Sequence, residues 1–117
     1  MKNYDNFLIA VDDLNRAKDY YQTVLGLGIK FDFSDRGMVA FQVGDQEPAI
    51  ILRDSNVFPD AKPAIWFEVE DVRAEYEKLA QKGVRFLSPP FAIATGMAAE
   101  FEDPFGNRFG ITDYTKN

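Results

Sequence analysis

Phe7-Leu8-Ile9-Ala10-Val11-Asp12-Asp13-Leu14 decides the fold, because its second half returns as Val69-Glu70-Asp71-Val72, 58 positions later. Each copy closes an apolar run that reads as a strand, Phe7 to Val11 and Ile65 to Val69. Each copy also opens a helical pattern. A second echo, Gly28-Ile29-Lys30-Phe31 against Gly83-Val84-Arg85-Phe86, has an offset of 55, so the second helical region is three residues shorter. A repeated order on this scale marks two copies of one structural unit.

The first helix is expected over about Leu14 to Leu25. Asp13 caps it, since a carboxylate there accepts from the free N–H groups of the first turn. Leu14, Ala17, Tyr21, Val24 and Leu25 recur at helical spacing as one apolar face, and Gly26 or Gly28 ends the run. The second helix is expected over about Val72 to Lys82, with Asp71 as cap, Val72, Tyr76, Leu79 and Ala80 as its apolar face, and Gly83 as its stop. Three strands follow each helix: Ile29 to Phe33, Met38 to Val43 and Ala49 to Arg53, then Val84 to Leu87, Met97 to Glu102 and Arg108 to Thr112. Ser34 to Gly37, Gly44 to Glu47 and Asp103-Pro104-Phe105-Gly106-Asn107 supply turns. Ser88-Pro89-Pro90 breaks the sixth strand, so a loop is expected to lead to the seventh.

The class is therefore α+β, with two βαβββ modules at about 5–54 and 63–114 joined by a linker at 55–62, all within one domain of 117 residues. One such module leaves a sheet face uncovered. Two are expected to form a curled mixed-sheet cup with helices outside.

Composition narrows the chemistry. The chain has no cysteine, which excludes disulfides, thiolate metal sites and Cys nucleophiles. It has no histidine, so no imidazole can serve as base or metal ligand. Oxygen donors alone would remain for a metal, and they suit hard ions. The net charge of −6, with 13 scattered Lys and Arg, makes nucleic acid and anionic lipid poor partners. No apolar run approaches the ~20 residues of a membrane span. The polar start, Met1 to Asp5, is unlike a signal peptide, and a cytoplasmic location is expected.

The order of motifs resembles the vicinal-oxygen-chelate superfamily, which holds glyoxalases, dioxygenases and bleomycin-resistance proteins. Phe7 to Leu14 with Ala17 and Tyr20-Tyr21 resembles its opening strand and helix. Leu25-Gly26-Leu27 resembles the helix end, and Asp103-Pro104-Phe105-Gly106-Asn107 the turn before the last strand. In metal-dependent members the resemblance implies ligands at four strand positions, usually His, Gln or Glu. They fall here on Asn6, Ala64, Gly110 and, within one residue, Ile51. None of the four is His, Glu or Gln. The resemblance therefore implies the metal-free, bleomycin-resistance-like branch, with no cofactor, no metal ligands and no catalytic residue at the inherited positions.

Alternation along strands sorts the remaining candidates. Asn6, Leu8 and Ala10 are expected to face the cup, as are Ile51 and Arg53, Ala64, Trp66 and Glu68, and Gly110 and Thr112. Ile65, Phe67 and Val69 are expected to pack under the helix. Trp66, the sole tryptophan, is either a stacking platform for planar or cationic groups or a space-filling core residue. Glu68 is either a partner for a cationic ligand, or a base, or a solvated acid near a strand end. Arg53 is either a ligand contact or a partner of Glu68. Glu100 and Glu102 alternate with Met97, Ala99 and Phe101 and read as a solvated face.

The resulting expectation is a protein that binds a small molecule rather than transforming it, sequestering a cationic antibiotic of the bleomycin type. The alternative is a glyoxalase- or dioxygenase-like lyase or isomerase with an atypical or relocated site. Exposed sheet edges lead to the expectation of a homodimer.

Overall fold

The computed structural model describes residues 1–116. Its contacts divide the chain into two compact units. The first is Asn6–Pro63, and the second joins Met1–Asp5 to the chain from Ala64 onward.

In the first unit, β1 (Asn3–Val11, from Asn6 onward) is followed by α1 (Leu14–Asp19), β2 (Gly28–Phe33), β3 (Met38–Gln42) and β4 (Ala49–Asp54). The hydrogen-bonded order is β2-β3-β4-β1. β1 runs parallel to β4, and the other pairs are antiparallel. Asp13 caps α1 by accepting from Arg16 N at 3.1 Å. One face of the sheet packs against α1. Leu14, Val39, Phe41 and Leu52 form the buried core there, joined by Ile9, Val11, Ala17 and Tyr21. Burying a side chain of this size contributes roughly 1.5–3 kcal/mol.

The first helix departs from the expectation. Beyond Asp19 it continues as a π-helical turn over Tyr20–Val24, closed by Leu25 N donating to Tyr20 O at 3.1 Å. The Thr23 hydroxyl donates to Asp19 O at 2.6 Å. A hydroxyl bonded back to the preceding turn competes for the carbonyl that a regular helix uses, and the ladder shifts by one.

The second unit repeats the plan. β5 (Ala64–Glu68) leads to α2 (Val72–Gln81), then β6 (Arg85–Phe86), β7 (Phe91–Ile93), β8 (Gly96–Glu102) and β9 (Arg108–Thr112). The order is β5-β9-β8-β6, with β5 parallel to β9. Asp71 caps α2 by accepting from Ala74 N at 3.2 Å. Val69, Val72, Ala99 and Ile111 make the core under α2, with Phe67, Phe86, Met97 and Phe101 around it. Ile65 was expected to join them but is exposed, near the start of β5 and outside the cluster under α2.

Two further differences concern the run after β6. The expected loop instead folds as β7, pairing Phe91 with Ala98 and Ile93 with Gly96. β6 holds the other end of β8, through Arg85–Glu102 and Phe86–Phe101. The two Pro residues thus divide one strand into two short ones. The end of β9 is fixed by Asp113, whose carboxylate accepts from Val72 N at 2.8 Å and from Met97 N at 2.9 Å. A Cβ on Gly96 would lie 2.3 Å from that carboxylate, so only glycine lets the strands close there.

Candidate functional site

Residues directly opposite in register share a face of a sheet. In the second unit the face away from α2 therefore carries Ala64, Trp66 and Glu68 from β5, Arg108, Gly110 and Thr112 from β9, and Glu100 and Glu102 from β8. Trp66, Gly110 and Glu100 are consecutive across three strands.

Trp66 lies against the backbone of Gly110. A Cβ added at Gly110 would come within 2.3 Å of Cδ2 and Cε2 of the indole and 2.6 Å of Cε3. The missing side chain is thus the space the ring occupies. Trp66 is only 9% exposed, and its Nε1 is buried with no hydrogen-bond partner among the described residues.

Beside this pair is a charge cluster that the sequence reading assigned to solvent. The Glu100 and Glu102 side chains are only 18% and 13% exposed, and that of Arg108 only 9%. Arg108 donates to Glu102 Oε2 from Nη2 at 3.1 Å and from Nε at 3.3 Å, while its Nη1 lies 3.8 Å from Glu100 Oε2. Arg85 Nη2 reaches Glu102 Oε1 at 3.6 Å. Removing one member of so shielded a cluster would leave an uncompensated charge, which is far costlier than losing an exposed pair. The signal that could have found it is the register set by the turn. Asp103 accepts from Phe105 N at 2.8 Å and Asn107 N at 2.9 Å, a tight turn that brings Arg108 opposite Glu102.

Glu68 lies on the same face but is engaged elsewhere. Lys2 Nζ lies 3.7 Å from its carboxylate and 3.2 Å from that of Glu70, and Lys2 N donates to Glu68 O at 2.8 Å. The acid that adjoins Gly110 across the sheet is Glu100, not Glu68.

In the first unit the face away from α1 carries Asn6, Leu8 and Ala10 beside Ala49, Ile51 and Arg53. Leu8 and Ile51 are buried partners in register. The Asn6 side-chain oxygen accepts from Ala49 N at 3.0 Å. The Arg53 guanidinium stands over the Phe58 ring, 5.3 Å from its centroid.

The family model of the Glyoxalase/Bleomycin resistance protein/Dioxygenase superfamily matches residues 3–111. The chain belongs to this superfamily. It is 31% identical to the uncharacterized protein YurT of Bacillus subtilis, over 88% of this chain and 92% of that one. It is 25% identical to YetH of the same organism, over 93% and 96%. Among solved structures it resembles hypothetical protein BH1468 from Bacillus halodurans, with 16% identity, a TM-score of 0.75 and coverage of 97% and 95%. It also resembles methylmalonyl-CoA epimerase from Streptomyces coelicolor in complex with 2-nitronate-propionyl-CoA, with 17% identity, a TM-score of 0.75 and coverage of 98% and 99%. At these identities the two structures bear on the fold alone.

The side chains at the four positions that the sequence resemblance assigns to a metal do not make a donor set for a divalent ion. Ala64 and Gly110 have no donor atom in their side chains, and Ile51 is aliphatic. The one side-chain oxygen, on Asn6, is engaged by Ala49. At Gly110 a carboxylate side chain would collide with the indole of Trp66. Among the described residues no group of three or more His, Cys, Asp or Glu is arranged to hold a metal.

Proposed function

We propose that this chain is a metal-independent small-molecule-binding protein that retains its ligand without making or breaking a covalent bond. The observation that carries the reading is the indole of Trp66 packed against the backbone of Gly110, in the space that a side chain there would take. An aromatic side chain fixed by its own backbone neighbour is preorganised, and preorganisation supports affinity without chemistry. Ala64, Trp66, Glu68 and Gly110 are the proposed contacts in the second unit, with Glu100 added to them. Asn6, Leu8, Ile51 and Arg53 are those of the first. A cationic antibiotic of the bleomycin type is the proposed ligand, supported by the net charge of −6 and by the carboxylates beside Trp66.

The test is a titration of Trp66 fluorescence with bleomycin in chelator-treated buffer. A saturable change at one ligand per chain is expected. No change in a folded protein would remove the drug assignment. The rival reading, a metal-dependent lyase or isomerase, is tested by melting the protein with and without excess Mn2+, Zn2+ or Mg2+. Ligand at ~100 times its Kd stabilises by about 2.7 kcal/mol, so a metal enzyme would melt several degrees higher. The expected result is no shift, and a clear rise with any one ion would overturn metal independence.

A further inference from the structure

A cleft of about 620 Å3 opens beside α1 in the first unit, within the size range of small-molecule sites. It shares no residue with the face that carries Trp66. One wall is the end of β1, Ala10 to Asp12, with Ser55 just after β4. The other is the helical run, through Arg16, Ala17, Tyr20 and Tyr21. Both walls are held from behind. Ser55 N donates to Val11 O at 2.8 Å, and Asn56 Nδ2 donates to Asp12 O at 2.9 Å. Tyr21 packs on buried Phe41, with ring centroids 5.5 Å apart.

The π-helical turn begins at this cleft. Such turns are rare and recur at functional sites. Its first two residues are Tyr20 and Tyr21. Tyr20 is 51% exposed and meets Tyr21 edge-on at 6.0 Å, so it offers an aromatic surface to an incoming ring.

The charges define the occupant further. Asp13 Oδ1 accepts from Arg16 N and is engaged in the helix cap. The Asp12 carboxylate and the Arg16 guanidinium stand one on each wall. Neither has a hydrogen bond or ion pair with the other, or with any other described residue. A purely cationic ligand would meet Arg16, and a purely anionic one would meet Asp12 and Asp13. A ligand with both charges would meet each with its complement.

We propose that this cleft binds an α-amino-acid-type zwitterion with an aromatic side chain. Its ammonium faces Asp12, its carboxylate faces Arg16, and its ring lies against Tyr20.

The test uses four probes: L-phenylalanine; phenethylamine, with the ammonium alone; 3-phenylpropionate, with the carboxylate alone; and L-alanine, dipolar but without a ring. Binding is followed on 15N-labelled protein at low ionic strength, where exposed charges are least screened. L-Phenylalanine is expected to shift the backbone amides of Arg16, Ala17 and Ser55 saturably and to leave the Trp66 indole resonance in place. It is expected to bind about threefold or more tightly than each relative, the size of an exposed charge pair. Asp12 and Arg16 are exposed, so substitutions there keep the fold. Arg16→Gln is expected to erase the preference over phenethylamine, and Asp12→Asn the preference over 3-phenylpropionate. Equal or tighter binding of either singly charged probe to the wild-type protein would overturn the dipolar class. Equal binding of L-alanine would overturn the ring contact. Preferences unchanged in both variants would overturn the roles of the two charges. If no probe moves the cleft amides, or if shifts are confined to the Trp66 indole, the site itself is overturned, while the Trp66 reading still stands or falls by its own titration.

Discussion

Gly110→Ala tests the central packing claim. Gly110 lies in β9 opposite Trp66, and its backbone is not among the glycines with positive φ, so alanine can adopt its conformation without strain. The cost would come from sterics alone. The new Cβ would stand 2.3 Å from two indole carbons and 2.6 Å from a third. Ordinary carbon–carbon contact requires the ring to retreat by roughly 1 Å. The ring is 9% exposed, so it must push into packed neighbours rather than into water. Overpacking of this kind costs about 1–3 kcal/mol. With a urea dependence of about 1–3 kcal/mol per molar, a loss of ~2 kcal/mol lowers the unfolding midpoint by about 1 M. The same substitution made in a Trp66→Ala background should cost under ~0.5 kcal/mol, because the colliding ring is gone. Urea unfolding of the four proteins, followed by circular dichroism, supplies the cycle. A Gly110→Ala variant within ~0.5 kcal/mol of the parent, with unchanged tryptophan emission, would refute the reasoning.

Two further outcomes are expected. Asp113 is 2% exposed; burial opposes its charge, but hydrogen bonds from Val72 N, Met97 N and Thr115 outweigh burial and hold its pKa below 3.8. A lowered folded pKa stabilises fully above the unfolded value, and the contribution is lost as pH falls through the folded one. Asp113→Asn should therefore cost about 1.5–3 kcal/mol near neutral pH, and a gap from the parent equally wide in urea unfolding at about pH 2 would overturn this. Asp32 is held at about 2, first by the Lys18 side chain and then by Ser34, so its contribution is complete above 3.8 and is lost as pH falls toward 2. Lys18→Ala should raise the Asp32 value toward the ordinary one in an NMR pH titration, and an unchanged titration would contradict the assignment.

What the sequence disclosed was local or repetitive. The Asp13 and Asp71 caps follow from a carboxylate preceding an apolar period, and both bonds are present. The assignment of Phe67 and Val69 to the helix side follows from a period of two. What it hid depended on distant partners. The π-helical turn rests on a hydroxyl that competes for one carbonyl, a choice no periodicity encodes. β7 exists because Phe91 to Ile93 finds β8, although the preceding prolines read as a break. Glu100 and Glu102 look like a wet face in a strand read by itself. They are shielded because the turn at Asp103 sets Arg108 against them.

A side chain at position 110 and the indole of Trp66 compete for one space. A side chain able to hold an ion there needs the space that the indole occupies, and the indole needs a glycine beneath it. Neither position can change independently of the other. Gly110→Glu would drive a carboxylate into an aromatic ring that is nine-tenths buried, a clash compounded by a buried charge. Trp66→His would introduce a donor at β5 while leaving Gly110 with none and Ile51 aliphatic. The Trp66–Gly110 pair is therefore one packing unit of β5 and β9, and a close approach across two strands identifies it more surely than either residue alone.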